Sequence, residues 1–345
     1  MRLMSYIDKV KQGLDLSVSE AEQTLTIIMN GKALEEEIED LLLSLSEKGE
    51  HVSELIGFAK AMRNHSIKIQ LPVDDILDTC GTGGDGANIY NVSTAVAFVA
   101  ASAGIPVAKH GNRAISSKSG SIDVLEALGI GLKIDQHKSK QLFKATNLLF
   151  MFAQQHHPAM RFVAPIRSKL KKRTIFNMLG PLTNPAGAKN QVIGVYSEQL
   201  TKKIGEALLQ LQCQRGLVVH SSSGLDELSI DGKNIVTEII NQKLQTYHIF
   251  PEDVGLRTSN LSNISGGTAI ENAEAILAIF KGKLGPDRDI LVFNAGAALY
   301  AANKTNSIAD GVRLAEQLID SKAVYDKYNL YQKLSSQLQL EGAIS

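Results

Sequence analysis

Glycine is concentrated in one short segment. Four glycines occur within the six residues Gly81–Gly86, directly after the short apolar run Ile76–Cys80. Glycine lets the backbone adopt positive φ angles and approach a ligand closely, and the backbone N–H groups of such a loop, next to the start of a helix, form an anion site. A tight turn without a ligand is the alternative, but it needs only one or two glycines. The spacing therefore predicts a loop that holds a phosphorylated substrate.

The same glycines satisfy the pattern G-x-G-x-x-G of dinucleotide-binding folds. Those folds need an acidic residue about 20 positions further on, which binds the ribose. The segment from Ala87 to Ile122 contains no Asp or Glu, and no lysine stands at the position that a P-loop requires. The loop therefore predicts neither a dinucleotide site nor an ordinary nucleotide P-loop.

A second polar segment follows the predicted strand Pro106–Ala108. The thirteen residues Lys109–Ser121 include three Lys or Arg, four serines, one asparagine and two glycines. Fixed cations mixed with hydroxyls predict a second anion site, although a solvated basic loop is the alternative. The hydroxyls of Asn91–Thr94 either cap a helix or bind phosphate oxygens or Mg²⁺. Two anion sites suit a substrate that carries phosphate at both ends.

Candidate metal ligands occur in two places. Asp226 and Glu227 follow the predicted strand Gly216–His220, and such a pair suits Mg²⁺, which takes one or two carboxylates and completes its shell with substrate phosphates. An exposed acidic turn is the alternative. The adjacent histidines His156 and His157 do not predict zinc, because both cysteines are distant in sequence and no H-E-x-x-H helix is present.

The elements that must position these residues change character near Pro72. Residues 1 to about 70 show only helical spacing of apolar side chains. After Pro72, short apolar runs alternate with loops and helical segments, which predicts an α/β fold with a mostly parallel sheet flanked by helices. Ile235–Phe250 predicts a hairpin at the sheet edge, and the chain from Gly267 onward predicts helices. Ligands of such sheets lie beyond the carboxyl ends of the strands, where the polar segments occur.

Composition excludes several classes of protein. The chain has 345 residues, of which 44% are hydrophobic, enough for two domains or one large domain. Lys+Arg and Asp+Glu number 36 each, which argues against binding nucleic acid or a membrane surface through bulk charge. Two cysteines are too few for a disulfide framework. The most apolar stretch, Val92–Ala108, contains serine, threonine and proline, so it does not predict a membrane span. With no secretory signal at the N-terminus, we expect a cytoplasmic protein.

Taken together, these segments resemble the anthranilate phosphoribosyltransferase family along almost the whole chain. The matching stretches are Gly81–Gly86, Asn91–Thr94, Lys109–Arg113, Ser119–Gly129, His156–Arg161, Thr174–Ala186 and Leu225–Ser229. The resemblance implies transfer of a phosphoribosyl group from 5-phosphoribosyl 1-diphosphate to the amine of anthranilate, a step of tryptophan biosynthesis. It also implies a homodimer with a nucleoside phosphorylase/phosphoribosyltransferase-like fold. In that fold a small helical domain of residues 1–70, completed by helices from about 157–182, packs on an α/β domain of residues 73–345.

The resemblance also assigns roles by position. The diphosphate donor would be held by Gly81, Thr82, Gly84, Asp85, Ile89, Asn91, Val92, Ser93, Thr94, Lys109, His110, Gly111, Asn112, Arg113, Ser116, Ser117 and Ser121. Two Mg²⁺ ions per site would be ligated by Ser93, Asp226 and Glu227. Anthranilate would contact Gly81, Asn112 and Arg167, with His110, His157 and Met160 along its access route. Lys109, Asn112 and Arg167 would act in catalysis.

Three positions depart from the family pattern. Ile89 stands where the family usually has threonine or serine, Ile122 replaces a usual alanine, and Ser46 replaces a usual arginine. Three other functions stay open at this point: a related nucleoside phosphorylase, a nucleic-acid-binding paralogue on the same scaffold, and the same transfer to another aminobenzoate or arylamine. For the transfer itself, we predict no obligatory protein nucleophile, because an aniline nitrogen is unprotonated at neutral pH and needs positioning.

Overall fold

The computed structural model describes residues 3–87, 89–114, 118–264 and 266–343. Ser116 and Ser117, which were predicted to bind the donor, lie outside the described residues. Within the described ranges, no helix is both long enough and apolar enough to cross a membrane.

Four amphipathic helices open the chain. They are α1 Leu3–Lys11, α2 Val18–Met29, α3 Glu35–Lys48 and α4 Val52–His65. Ser17 and Glu20 form a capping box at the start of α2, where the Ser17 side chain accepts from Glu20 N and the Glu20 side chain accepts from Ser17 N. Helix α3 ends directly before Gly49.

The strands form one mixed sheet in the described part of the chain. They are β1 Leu77–Asp78, β2 Val107–Gly111, β3 Leu148–Phe152, β4 Asn190–Gly194, β5 Arg215–Ser221, β6 Asn234–Ile240 and β7 Lys243–Ile249. Their order across the sheet is β3-β2-β1-β4-β5-β6-β7. Strands β1 to β5 pair in parallel, whereas β6 and β7 are antiparallel and form the predicted edge hairpin. The α/β fold class predicted from the sequence is confirmed.

Helices cover both faces of this sheet and follow its strands. They are α5 Val92–Ser102, α6 Ser121–Ala127, α7 Gln136–Thr146, α8 Ala153–His156, α9 Ala164–Leu170, α10 Phe176–Leu179, α11 Gln199–Gln210, α12 Ala269–Phe280, α13 Pro286–Ala301, α14 Ile308–Asp320 and α15 Ala323–Ala343. Helix α5 is apolar on all sides because it packs against α13, α14 and α15 as well as against the sheet.

Two large hydrophobic cores and a smaller third cluster hold the described part of the fold. The larger one joins α5, α13, α14 and α15 to one face of the sheet, with Phe98 in tilted or edge-on contact with Phe150 and Tyr331. The second joins α1 to α4 with side chains of the later segment that carries Val163, Ile166 and Phe176. It also reaches α11 and the opposite face of the sheet.

The main differences from the sequence prediction concern strand ends. Strand β1 is only two residues long, since Thr79 and Cys80 leave the ladder to begin the glycine loop. The apolar run Gln191–Tyr196 predicts a strand that ends at Tyr196, whereas β4 starts at Asn190 and ends at Gly194. Both strands end early because the backbone beyond them turns to form a site.

Candidate active site

Loops from four neighbouring strands meet at the carboxyl edge of the parallel sheet. The glycine loop follows β1, the segment Lys109–Arg113 ends β2, Gly194 ends β4, and Asp226 follows β5. Parallel strands end on the same side of a sheet, so motifs far apart in sequence come together there. This is the edge that the sequence predicts for the ligand.

The glycine loop is fixed against β4 and the loop after β5. Thr82 N donates to Gly194 O over 2.8 Å, and Gly83 N donates to Asp226 Oδ2 over 2.7 Å. Gly83 and Gly84 have φ angles of 64° and 79°, which favour glycine. A Cβ atom on Gly194 would lie 1.4 Å from the carbonyl oxygen of Asp226, so no side chain fits there.

Three carboxylates stand beside this loop. Asp85 Oδ2 accepts from Asp226 N at 3.4 Å, and burial together with the nearby Asp85 raises the pKa of Asp226. Burial and the neighbouring Asp226 also raise the pKa of Glu227 well above its usual value, while a hydrogen bond from the Ser93 backbone opposes this shift. Such acids repel one another in the free protein and gain from a bound cation.

These residues fit a magnesium ion that is bound together with a phosphorylated substrate. No group of three or more His, Cys, Asp or Glu side chains in the described ranges is arranged to hold a metal alone. Mg²⁺ is ordinarily held by one or two carboxylates, with substrate phosphates and water completing the shell. The set Ser93, Asp226 and Glu227 is of this incomplete kind.

Lys109 is buried at the base of the site. Its Nζ donates to Thr79 O at 3.4 Å, and its side chain is 3% exposed. Asp78 is fully buried beside it, and burial raises the pKa of Asp78 to about 6 in spite of Lys109. Asp78 accepts from His110 N and from Asn184 Nδ2, at 3.2 and 2.7 Å. Asp78 thus connects β1, β2 and the segment that carries Asn184, and these contacts lie under the two anion loops.

Arg113 is already paired with acids. Its guanidinium donates to Asp123 at 2.8 Å and to Glu126 at 2.8 and 2.5 Å. Asp123 also accepts from Ala114 N and Gly120 N. Asp123 and Glu126 both lie in α6, so these contacts fold the loop back on its helix. The charge of Arg113 is largely compensated before any ligand binds.

The remaining predicted donor residues surround the start of α5 and the end of β2. Asn91 Nδ2 donates to Ser119 O, and Asn91 Oδ1 accepts from Asn272, a partner that no sequence pattern indicated. Ser121 Oγ donates to the carbonyl oxygen of Asn112, beside Gly111. The hydroxyl of Thr94 is buried without a hydrogen-bond partner in the described structure, which leaves it for a ligand.

Two of the predicted donor residues have side chains directed into the core. Val92 is 2% exposed and belongs to the large hydrophobic core, so only its backbone is left for a ligand. Ile89 is half-buried and packs against the same core. Ile122 is buried there as well, and Ser46 is exposed on α3. These departures from the family pattern are accommodated by hydrophobic packing and by solvent.

His110 and His157 face each other in the neighbouring cleft. Their ring centroids are 5.2 Å apart, and neither Nε2 atom has a hydrogen-bond partner in the described ranges. Burial lowers the pKa of His110 to about 3 and that of His157 to about 4, so both rings are neutral near pH 7. His157 and Met160 line a small pocket with Met29, Met62 and His65. The lining of this pocket is mainly apolar.

Arg167 lies in helix α9, at the side of the cleft formed by the helices. Its guanidinium lies 5.6 Å from the centroid of the Phe176 ring, and burial lowers the pKa of Arg167. None of the described acids forms an ion pair with it. A half-buried guanidinium without an acid suits a carboxylate, which it can contact with two hydrogen bonds.

Asn184 was not predicted as a site residue. It follows α10 and the short 3-10 helix Gly180–Thr183, and it donates to both Asp78 and Ala108 O. The backbone carbonyl groups of Gly180 and Thr183, in the segment before Asn184, accept hydrogen bonds from the rings of His110 and His157, respectively. The signal that was available is an asparagine between two prolines after a buried helix.

Sequence and structure comparisons agree with this geometry. A family model described as "Glycosyl transferase family, a/b domain" matches residues 73–324, and another described as "Glycosyl transferase family, helical bundle domain" matches residues 4–66. The anthranilate phosphoribosyltransferase of Clostridium kluyveri is 47% identical over 322 residues, which cover 93% of this chain and 96% of the relative. That of Petrotoga mobilis is 44% identical over 340 residues, covering 99% of both chains.

Solved structures give the same result. The anthranilate phosphoribosyltransferase of Thermus thermophilus superposes with a TM-score of 0.90 at 41% identity, over 95% of this chain and 98% of the other. The enzyme of Saccharomyces cerevisiae in complex with PRPP and Mg superposes with a TM-score of 0.89 at 28% identity, over 97% and 98%. The chain therefore belongs to the anthranilate phosphoribosyltransferase family.

Proposed function

We propose that this protein transfers the phosphoribosyl group of 5-phosphoribosyl 1-diphosphate to the amine of anthranilate. The products are N-(5-phosphoribosyl)anthranilate and diphosphate, as in tryptophan biosynthesis. The observation that carries the proposal is the contact between the glycine loop and the acidic pair, in which Gly83 N donates to Asp226. It puts an anion loop and candidate Mg²⁺ ligands in one site, which suits a diphosphate leaving group.

The relatives support each component of this proposal. The enzyme of Saccharomyces cerevisiae is described in complex with PRPP and Mg, and also in complex with 4-fluoroanthranilate. In this chain we assign the donor to the glycine loop, Asn91–Thr94 and Lys109–Ser121. We assign two magnesium ions to Ser93, Asp226 and Glu227, with Asp85 beside them. Mg²⁺ bound there would neutralise the diphosphate charge and so make it a better leaving group.

The chain's own residues account for the rest of the reaction. The bond between the anomeric carbon and the diphosphate oxygen breaks, and a bond from the anthranilate nitrogen to that carbon forms. The nitrogen then loses one proton to solvent or diphosphate. Lys109 and the loop N–H groups hold the departing oxyanion, and the sugar carbon passes through an oxocarbenium-like state.

The acceptor needs orientation more than activation. Arg167 binds the anthranilate carboxylate, Asn112 and Gly81 lie at the reacting end, and the neutral His110 and His157 line the access route with Met160. Because both histidines stay uncharged near neutral pH, they add no competing cation to the carboxylate site. Positioning of this kind supplies a large part of the rate enhancement in two-substrate transfers.

The finer organisation of the protein is also proposed. Residues 1–70 and the helices between about 157 and 182 form a small helical domain, and residues 73–345 form the catalytic domain. The shared hydrophobic core of α1 to α4 with Val163, Ile166 and Phe176 supports this division. We propose a cytoplasmic homodimer, which sedimentation equilibrium tests through its mass.

The direct test follows the fluorescence of anthranilate in the presence of enzyme, donor and Mg²⁺. Fluorescence should fall only when all four components are present, and chelation of Mg²⁺ should stop the change. Turnover with another aminobenzoate, but not with anthranilate, would reassign the acceptor. Nucleoside cleavage that depends on inorganic phosphate would indicate a phosphorylase, and nucleic-acid binding without turnover would indicate the non-catalytic paralogue. The comparisons favour neither of these two functions.

A further inference from the structure

Arg173 is a cation beside the glycine loop that the sequence motifs did not single out. It lies between α9 and α10, and its guanidinium donates to the carbonyl oxygen of Gly84. The guanidinium carbon also lies 4.1 Å from the centroid of the Tyr196 ring, two residues beyond the end of β4. One side chain therefore contacts both the glycine loop and the end of a neighbouring strand.

The contacts of Arg173 orient its charge without neutralising it. Its hydrogen-bond acceptor is a neutral carbonyl, and none of the described acids forms an ion pair with it. A guanidinium carries five N–H donors in a rigid plane, and stacking on an aromatic ring restrains that plane at little cost. Arg173 is exposed, so its remaining donors face the solvent at the mouth of the loop.

The negative charge of the candidate site favours an additional cation for binding a phosphorylated donor. Asp85, Asp226 and Glu227 place three carboxyl groups near the loop. Of the three cations in the segment Lys109–Ser121, Lys109 is buried below the loop, Arg113 is held by Asp123 and Glu126, and Lys118 is exposed. A donor with phosphate at both ends brings still more negative charge to this edge of the sheet.

We infer that Arg173 is a substrate-binding residue that contacts the phosphate oxygens of the donor from the side of the cleft opposite Lys109. Tyr196 is the positioning residue that holds the guanidinium plane over Gly84. The inference rests on the proposed function, because it concerns the donor of that reaction. Arg173 precedes α10, whose residue Phe176 packs in the hydrophobic core shared with α1 to α4.

The test measures donor affinity directly, by calorimetric titration with the donor and Mg²⁺ in the absence of anthranilate. Arg173→Gln is expected to weaken donor binding about 10- to 100-fold, the loss typical of a hydrogen bond between charged groups. Arg173→Lys should recover part of the affinity. Lys172→Gln is the matched control, since it removes the same charge from the adjacent exposed position, and it should stay within about twofold of wild type.

Tyr196 provides a second, independent pair of variants. Tyr196→Phe keeps the ring and should bind the donor nearly as wild type does, whereas Tyr196→Leu should weaken binding severalfold. Steady-state kinetics should show the Arg173→Gln effect in the donor KM, with the anthranilate KM changed by less than about twofold.

Three results would overturn the inference. Equal losses in Arg173→Gln and Lys172→Gln would mean that only diffuse charge matters. Equal increases in both KM values, or a lowered melting temperature of Arg173→Gln, would mean that the residue is structural. Wild-type affinity in Arg173→Gln would remove it from the donor site while leaving the proposed function intact. A wild-type protein that fails to bind the donor would reject the proposed function together with this inference.

Discussion

Gly83 and Asp226 are 143 positions apart in the chain, yet the backbone N–H of Gly83 donates to Oδ2 of Asp226 over 2.7 Å. The carboxylate therefore accepts a hydrogen bond from a loop N–H group that is also suited to a phosphate oxygen. The same loop is fixed by Thr82 N on Gly194 O. The candidate anion site and the candidate metal site are therefore one structural unit in this protein. A substitution in one site should alter ligand binding in the other.

Replacing Asp226 should separate metal binding from loop structure. Asp226→Asn removes one charge but keeps an oxygen that can accept from Gly83. We expect the Mg²⁺ concentration for half-maximal activity to rise at least about 10-fold, because a charged ligand is lost. Thermal unfolding with donor present should also lose its stabilisation by Mg²⁺. Asp75→Asn, at an exposed position outside the site, is the control; an unchanged Mg²⁺ requirement in Asp226→Asn would exclude this residue as a ligand.

Arg167 should determine the affinity for the acceptor. Arg167→Ala removes the half-buried guanidinium beside Phe176, and we expect the anthranilate KM to rise about 10- to 100-fold with a donor KM within about twofold. Arg161→Ala, which removes an exposed guanidinium that lies over Phe162, serves as the matched control. If Arg167→Ala raised both KM values equally, its assigned role as the carboxylate site would be wrong.

The close approach at Gly194 should tolerate no side chain. Gly194→Ala places a methyl group 1.4 Å from the Asp226 carbonyl oxygen, so the loop after β5 must move. We expect a loss of stability of about 1–3 kcal/mol or more, measured by urea unfolding, and a weakened response to Mg²⁺. Wild-type stability in Gly194→Ala would contradict the close packing of Gly194 against Asp226.

The buried histidines should make the protein sensitive to acid. The pKa values of His110 and His157 fall to about 3 and about 4 in the folded protein, below their value of 6.5 in an unfolded chain. The unfolded chain therefore binds protons first as the pH falls below 6.5, and stability is lost from there down to the folded pKa. At pH 5 each histidine should cost about 2 kcal/mol relative to pH 7.

Urea unfolding at pH 7 and pH 5 tests this effect. His157→Gln should show a smaller loss of stability between the two pH values than wild type does. His248→Gln, at an exposed position on β7, should show the full wild-type loss. An identical pH dependence in His157→Gln and wild type would mean that the buried ring does not contribute.

Local patterns predicted much of the fold. Helical spacing indicated the first helices, and short apolar runs indicated the sheet, because side-chain burial has a different period in each element. The apolar run Ile76–Cys80 indicated β1 but not how short the strand is. Its two residues pair with β2 and β4 on either side. Pairing between segments distant in the chain cannot be predicted from the local sequence pattern.

The site was predictable where a motif is contiguous and not where partners are distant. The glycine loop and Lys109–Arg113 are visible as unusual runs of residues. In contrast, Asn184 beneath Asp78 and Arg173 over Tyr196 depend on contacts between separate segments. Arg113 shows the opposite difficulty. Arginine commonly binds phosphate, so the sequence suggested this role, but in the structure Arg113 is already paired with Glu126.

We propose that a single site binds the phosphorylated donor, a metal ion and an aromatic acceptor, and that it transfers a phosphoribosyl group between them. The most direct measurement is a mass-spectrometric count of products after incubation with the donor, anthranilate and Mg²⁺. We predict one N-(5-phosphoribosyl)anthranilate for each diphosphate released, with both absent when Mg²⁺ is chelated. Diphosphate release without phosphoribosylated anthranilate, or unchanged substrates under all conditions, would contradict this function.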